Sequence, residues 1–333
     1  WELQNRSMAT LKKIKKKYKW LVTGAAGFIG SNLVRYLLEN NQTVIAIDNF
    51  STGKKDNISK FPKKLRKNFK FFQYDIRNFK QCLKVTKNVN FVLHNAALGS
   101  VPRSIKNPKK THDTNINGFL NILEASRINK VKKLVFASSS SVYGDTKNKI
   151  KKENTLGNPL SPYAVTKINN ESYAKIYAKI YNMKIIGLRY FNVFGFNQDQ
   201  NSIYSAVIPK WIRLMKNDKI IPIFGDGKNS RDFCYIENVI QANMLAALEK
   251  KIKTYEVFNV AVGNSTNLNQ LFKLMSKIFK ISGAKKVYFK PRVGDVRYST
   301  ADISKIRKIL NYRPRFTIDS GLKEISNQYK NYK

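Results

Sequence analysis

The chain has 333 residues, 42% hydrophobic and 12% aromatic, which suits a folded protein with a large core in one α/β unit or two unequal ones. Its 62 Lys and Arg against 21 Asp and Glu give a net charge of +41, but the lysines are spread over nearly every segment and no nucleic-acid motif accompanies them, so the charge reads as a solvated basic surface that attracts anionic ligands. No stretch approaches the roughly 20 apolar residues of a membrane span, the N-terminal stretch lacks the apolar core of a secretory signal, and Cys82 and Cys234 form neither a disulfide framework nor a metal-ligand spacing; a reducing cytoplasm and no metal are expected.

In chain order, residues 1–18 read as a basic N-terminal extension, with Met8 as a candidate start. Residues 20–23 read as a short buried strand, and 28–38 as a helix with apolar residues at helical spacing. Strands are expected at 43–47, 69–74 and 91–94, a helix at 117–128 and a fifth strand at 133–137. A long helix is expected at 163–181, followed by a sixth strand at 184–188. Strands separated by helices imply parallel β-α-β units with right-handed crossovers. The second half is less regular. It offers strands at 220–224 and 256–261, a Gly225-Asp226-Gly227 turn, and helices at 236–250, 268–279 and 303–310.

Gly24-Ala25-Ala26-Gly27-Phe28-Ile29-Gly30 joins the first strand to the first helix. In that context the first glycine permits a tight turn, the second lets backbone approach a pyrophosphate, and the third lets helix and strand pack closely. The helix N-terminus then offers its free N–H groups to phosphate. Asp48 ends the second strand about 20 residues on, where a carboxylate accepts from an adenosine ribose and repels a 2′-phosphate. This favours NAD over NADP. Asp75-Ile76, after the third strand, is placed to contact adenine. Asn95-Ala96-Ala97 closes the fourth strand with small residues over which a dinucleotide can lie.

Ser161-Pro162-Tyr163-Ala164-Val165-Thr166-Lys167 puts a tyrosine four residues before a lysine, on one face of a helix start. A phenol is a poor base at its free pKa. A lysine cation, together with a nicotinamide charge, stabilises the phenolate and brings it toward neutral pH. Ser138-Ser139-Ser140-Ser141 follows the fifth strand, so its hydroxyls lie at the same sheet edge, where a serine can share a substrate proton.

The glycine loop, the serine run before Val142-Tyr143-Gly144-Asp145 and the Tyr163/Lys167 pair resemble the extended short-chain dehydrogenase/reductase family. Within it, residues 97–104, 187–195 and 230–236 are similar to bacterial UDP-N-acetylglucosamine 4-epimerases of surface-polysaccharide synthesis, including those acting on the uronic acid. The resemblance implies an α/β fold: a Rossmann-type doubly wound parallel sheet over 1–190, and a smaller C-terminal α/β lobe for substrate over 191–333, with some elements crossing between them. It implies that Tyr163 takes the 4-hydroxyl proton with Ser139 and Ser140 beside it, and that Lys167 lowers the tyrosine pKa and bonds the nicotinamide ribose. It assigns Phe28, Ile29, Asn49, Ser51, Gly53, Ala96 and Tyr190 to the cofactor along with the loop glycines, Asp48, Asp75 and Ile76. On the substrate side it implies Asn192 at the diphosphate, Arg231 and Arg292 on phosphate oxygens, and Asp295 on the uridine ribose. Ala206, Val207 and Lys210 would line the nucleotide pocket, and Gly99, Ser100 and Ser140 would face the sugar. Ser299 matches the position where related UDP-galactose 4-epimerases carry a gating tyrosine, so serine there implies room for a 2-acetamido group. A homodimer through the helices at 117–128 and 163–181 is also implied.

Three other readings compete. A sugar-nucleotide 4,6-dehydratase needs an acid pair after the fifth strand, where this chain holds serines. A plain reductase would release its cofactor. A nucleic-acid-binding protein on the same fold would use the basic charge and leave the catalytic set without purpose.

Overall fold

The computed structural model describes residues 14–59, 61–199, 206–281, 283–291 and 297–330. In chain order its strands are β1 (Lys19–Thr23), β2 (Thr43–Ile47), β3 (Phe69–Phe72), β4 (Phe91–His94), β5 (Lys133–Ser139), β6 (Ile150–Lys151), β7 (Ile185–Tyr190) and β8 (Val193–Phe194). They continue as β9 (Ile221–Phe224), β10 (Ser230–Arg231), β11 (Cys234–Tyr235), β12 (Tyr255–Val260), β13 (Thr266–Asn267), β14 (Lys286–Phe289) and β15 (Tyr298–Ala301). Seven of them form one sheet in the order β12-β7-β5-β4-β1-β2-β3, with every pairing parallel. The fold is the expected Rossmann-type α/β sheet.

Successive residues feed opposite faces of that sheet. Trp20 and Val22 enter one apolar cluster, while Leu21 between them enters the other. Val135 joins the first, and Leu134 and Phe136 the second. Both faces are therefore covered, and the central strands are apolar throughout rather than alternating. All residues of β4 and β7 are buried.

The chain order places β1 between β2 and β4, so successive connections leave β1 toward opposite edges. Such a reversal opens a crevice at the carboxyl ends of the two central strands. The outermost strand, β12, comes from the C-terminal half and pairs with β7 over six residues. Beside the large sheet lies a four-stranded one, β13-β10-β15-β6. The buried Asp232 carboxylate ties this second unit together. It accepts from Val262 N at 3.0 Å, Gly263 N at 3.0 Å and Ala301 N at 3.3 Å. Burial pushes its carboxyl up to about 6, opposed by those same backbone hydrogen bonds.

Several element ends depart from expectation. β3 stops at Phe72 because Tyr74 N donates back to the Phe72 carbonyl at 3.0 Å and turns the chain. β7 runs on to Tyr190 because β5 and β12 both offer it partners there. The helix Ile236–Leu248 ends before residue 250, where buried Lys133 Nζ donates to the carbonyls of Ala246 and Glu249. The expected helix at 117–128 begins earlier, as a π-turn, Asp113–Asn117, that runs into Gly118–Ile128. Among elements not anticipated, Val101–Lys106 and Pro108–His112 carry a proline in the first turn and are capped by Ser100 and Asn107. Val207–Lys216 buries Ile208, Trp211, Ile212 and Met215, a helical apolar stripe.

Phe136 is 1% exposed and packs at a tilt against Phe119, ring centres 5.0 Å apart, and its ring fills the space over Gly187. Phe136→Ala is expected to cost about 3–5 kcal/mol, read as a lower urea midpoint at unchanged slope. A loss under about 1 kcal/mol would show that this layer repacks freely.

Candidate functional site

The crevice is built first by what is missing from it. Gly24 turns the chain out of β1 with φ +67°, and a Cβ there would meet Ala96 N at 2.7 Å. A Cβ on Gly30 would sit 2.1 Å from the Gly24 carbonyl oxygen. Only hydrogen at these two positions lets the first turn, the following helix and the loop after β4 close on one another. Gly27 caps the helix Phe28–Glu39 without a side chain, so backbone N–H groups face the crevice.

A narrow cavity of about 70 Å³ opens there, lined by Gly24, Gly27, Asp48, Asn49, Ser51, Ile76 and Ala96 among others. Asp48 accepts from Ala26 N at 3.0 Å and Phe50 N at 2.7 Å. Burial pushes its carboxyl up, and backbone hydrogen bonds from Phe50, Ala26, Gly27 and Asn49 oppose the shift. Asn49 donates to Asp75 at 2.8 Å, and Arg77 holds Asp75 down to about 2. Asp75 thus stands behind Asn49 rather than lining the cavity. Asn95 lines the same cavity, and its buried Oδ1 has no hydrogen-bond donor in the protein. Bare backbone, a helix N-terminus without a side-chain cap and a carboxylate at the end of β2 fit a dinucleotide.

Tyr163 and Lys167 lie one turn apart on the helix Pro162–Tyr181, started by Ser161 accepting from Ala164 N at 3.2 Å. Lys167 Nζ is 5.9 Å from the Tyr163 ring centre and donates to the Ala137 carbonyl at 2.7 Å. Burial pushes Lys167 down to about 8, with the nearby Glu171 carboxylate opposing. Burial pushes Tyr163 above the ordinary phenol value, and a hydrogen bond with Ser139 opposes it. The chain's own groups therefore leave the phenol above its ordinary value, and the expected lowering calls on a nicotinamide charge as well as the lysine. Ser139 also accepts from Ser141 N at 3.1 Å. Ser138, pointing to the opposite face, donates to Glu171 in the core.

A second, larger cleft of about 790 Å³ adjoins the first and shares Thr52 with it. Its lining includes Phe28, Ile29, Gly99, Ser100, Tyr163, Asn192, Ala206, Val207, Lys210 and Arg231. These come from loops far apart in sequence, and they converge on the tyrosine. Ser139, the last residue of β5, and Ser140, which opens the turn after it, are half-buried. Ser299 is 9% exposed and does not line the cleft itself; it pairs in register with Arg231, which does. Tyr190 lines neither cavity. Its hydroxyl is buried against Asn243 at 2.9–3.2 Å. Gly53 packs against Asp48 and Ala26. Arg292 and Asp295 lie outside the described residues.

Two positions carry weight that motif spacing did not show. Asn115, in the π-turn, accepts from Leu98 N at 2.7 Å and donates to Leu98 O at 3.2 Å and Thr166 Oγ1 at 3.1 Å. It clasps the Gly99-Ser100 loop to the tyrosine helix. Ser100 itself holds φ +107°, a strained value for a residue with a side chain. Thr23 bridges β1 and β4 by contacting His94 Nδ1 at 2.9 Å and accepting from Ala96 N at 3.2 Å. Only an unexplained polar residue inside a buried strand could have flagged Thr23. Among the described residues, no cluster of His, Cys, Asp or Glu could hold a metal ion, and no helix is long and apolar enough to cross a membrane.

Residues 20–261 match the family model described as the NAD dependent epimerase/dehydratase family. The chain is similar to a UDP-N-acetylglucosamine 4-epimerase from Methanobrevibacter ruminantium, solved in complex with UDP-N-acetylmuramic acid: 36% identity, TM-score 0.89, covering 96% of this chain and 100% of that one. It is similar to a UDP-glucose 4-epimerase from Thermotoga maritima, solved with UDP-glucose: 36% identity, TM-score 0.87, 94% and 99% coverage. It is also similar to a UDP-glucuronic acid 4-epimerase from Bacillus cereus, solved with UDP-glucuronic acid and NAD: 34% identity, TM-score 0.85, 95% and 100% coverage. The chain belongs to the NAD dependent epimerase/dehydratase family.

Gly30→Ala is expected to weaken NAD binding by at least about tenfold, or ~1.4 kcal/mol, because the turn must open to relieve the clash with Gly24. Calorimetric titration checks it, and wild-type affinity would contradict the packing argument.

Proposed function

We propose that the chain is an NAD-dependent UDP-sugar 4-epimerase whose substrate is a 2-acetamido sugar, UDP-GlcNAc or its uronic acid, feeding surface-polysaccharide synthesis. The observation that carries the reading is the placement of Tyr163 on the wall of the large cleft, next to the dinucleotide cavity and over Ser139 and Lys167. The 4-hydroxyl proton goes to the Tyr163 phenolate. NAD held in the dinucleotide cavity would supply reversible hydride chemistry at the sugar C4, and its positive charge the phenolate stabilisation that the chain's own groups lack. Ser139 shares the proton with Tyr163, and Lys167 adds a second positive charge below the ring.

The cleft has the volume of a nucleotide-sugar site. Lys210 and Arg231 supply positive charge on its wall for a diphosphate, with Asn192 beside them. Arg292 and Asp295 complete the nucleotide end in this reading. Gly99 and Ser100 face the sugar. The segment after β5 holds serines where a 4,6-dehydratase needs an acid pair.

The 2-acetamido preference rests on Ser299. It lies one strand over from Arg231 and is small and nearly buried. A tyrosine there would have to push toward the cleft. Ser299→Tyr is expected to abolish turnover of UDP-GlcNAc while sparing UDP-glucose, followed by NMR of the products; equal loss on both substrates would sink the gate.

The long helix leaves Val165, Tyr173, Ile176 and Ile180 exposed on one stripe, with Ile180 at 63%. This supports a homodimer through that helix and Gly118–Ile128. Light scattering is expected to give twice the chain mass, and an Ile176→Lys/Ile180→Lys variant the single mass; a monomeric wild type would contradict the contact.

A further inference from the structure

Tyr163, Lys167 and Glu171 follow one another at four-residue spacing on the long helix, so the three side chains share a face. The proposed reaction uses the first two. Glu171 is 8% exposed, and its carboxylate is fully engaged. It accepts from the Ser138 hydroxyl, from Arg189 Nε at 2.9 Å and from Arg189 Nη2 at 2.7 Å. Arg189, 2% exposed on β7, also donates to the Tyr143 hydroxyl at 3.0 Å and the Glu153 carbonyl at 3.0 Å. Tyr143 in turn donates to Asn259 on β12. A polar column therefore runs from the tyrosine helix across the end of β5 to the outermost strand.

Stability alone does not explain such a column. A buried ion pair often gives the fold no net gain over an apolar pair of similar volume. What is particular is its address. Ser138 is the residue before Ser139, whose hydroxyl bonds Tyr163. Fixing Ser138 to Glu171 fixes the pleat, and with it the direction in which Ser139 points. Lys167 lies one turn from the same carboxylate.

We propose that Glu171 is a positioning residue for the proton-transfer set: through Ser138 it holds the end of β5 so that Ser139 meets Tyr163, and its carboxylate, fastened by Arg189, faces Lys167. This rests on the epimerase reading. The groups facing Lys167 and Glu171 are His94 from β4, Ser138 from β5, Arg189 from β7, Tyr255 from β12 and Tyr163 on the helix itself, with Tyr143 behind Arg189. Burial holds His94 down to about 3, so it is neutral at working pH and offers Lys167 no charge. Glu171 is then the group that opposes the burial of Lys167. The lysine is cationic below about 8 and loses its charge above it. Removing the carboxylate moves that loss to lower pH.

The test uses purified, NAD-loaded wild type, Ser138→Ala and Glu171→Gln, with folding checked by thermal melting. In Glu171→Gln the basic limb of kcat/KM against pH is expected to move down by roughly one unit, as for loss of one close charge. Ser138→Ala keeps the ion pair and is expected to lose about tenfold in kcat, with KM within about twofold and the limb unmoved. An unshifted limb in Glu171→Gln, or wild-type kcat in Ser138→Ala, overturns the proposal. If Glu171→Gln does not fold, Glu171→Gln/Arg189→Met removes both buried charges and carries the same measurement. A second readout is the ultraviolet titration of the Tyr163 phenolate against Tyr163→Phe, expected to move to higher pH in Glu171→Gln. If the wild type turns over no UDP-sugar, the epimerase reading fails, and the phenolate titration alone decides the role of Glu171: no shift overturns it.

Discussion

Everything at the site depends on the close approach of two backbone segments at the reversal point of the sheet. The turn after β1 and the loop after β4 meet at Gly24 and Ala96, with no room for a Cβ between them. Gly30 brings the helix N-terminus against the same turn. Because side chains are excluded, the strand ends present backbone and the Asp48 residue there instead. Such a surface suits a dinucleotide, and it adjoins the large cleft at Thr52.

The second constraint is electrostatic. Proton abstraction at neutral pH needs a charged lysine beside a charged phenolate, and burial works against both. Lys167 is pushed down and Tyr163 up. The chain answers with fixed partners: the Ala137 carbonyl and the Glu171 carboxylate for the lysine, and the Ser139 hydroxyl for the tyrosine. The remaining lowering of the phenol falls to the cofactor's own charge in the proposed reaction. Base strength would then exist only when the dinucleotide is in place.

The parts legible in the sequence were those with local signatures. The glycine loop, the apolar strand runs and the Tyr163/Lys167 spacing each act within one or two elements, and short-range pattern suffices for them. Val207–Lys216 also had a legible stripe, at Ile208, Trp211, Ile212 and Met215, but Pro209 in its first turn reads as a breaker unless the helix start is recognised. What stayed hidden was long-range. Asn115 joins Leu98 to Thr166, Glu171 joins Ser138 to Arg189, and Asp232 joins two separated backbone segments to its own. Nothing in the spacing of these residues announces their partners. Tyr190 illustrates the converse. Its place in a matching stretch suggested the cofactor, and nothing in that stretch showed that tertiary packing pairs its hydroxyl with Asn243.

The account stands on one site both removing and returning the hydrogen at C4. UDP-GlcNAc carrying deuterium at C4 tests this directly. Incubation with the NAD-loaded protein in ordinary water, followed by NMR, is predicted to give the C4 epimer with its deuterium retained. Replacement of that deuterium by solvent hydrogen, or the absence of any 4-epimer, would contradict the account.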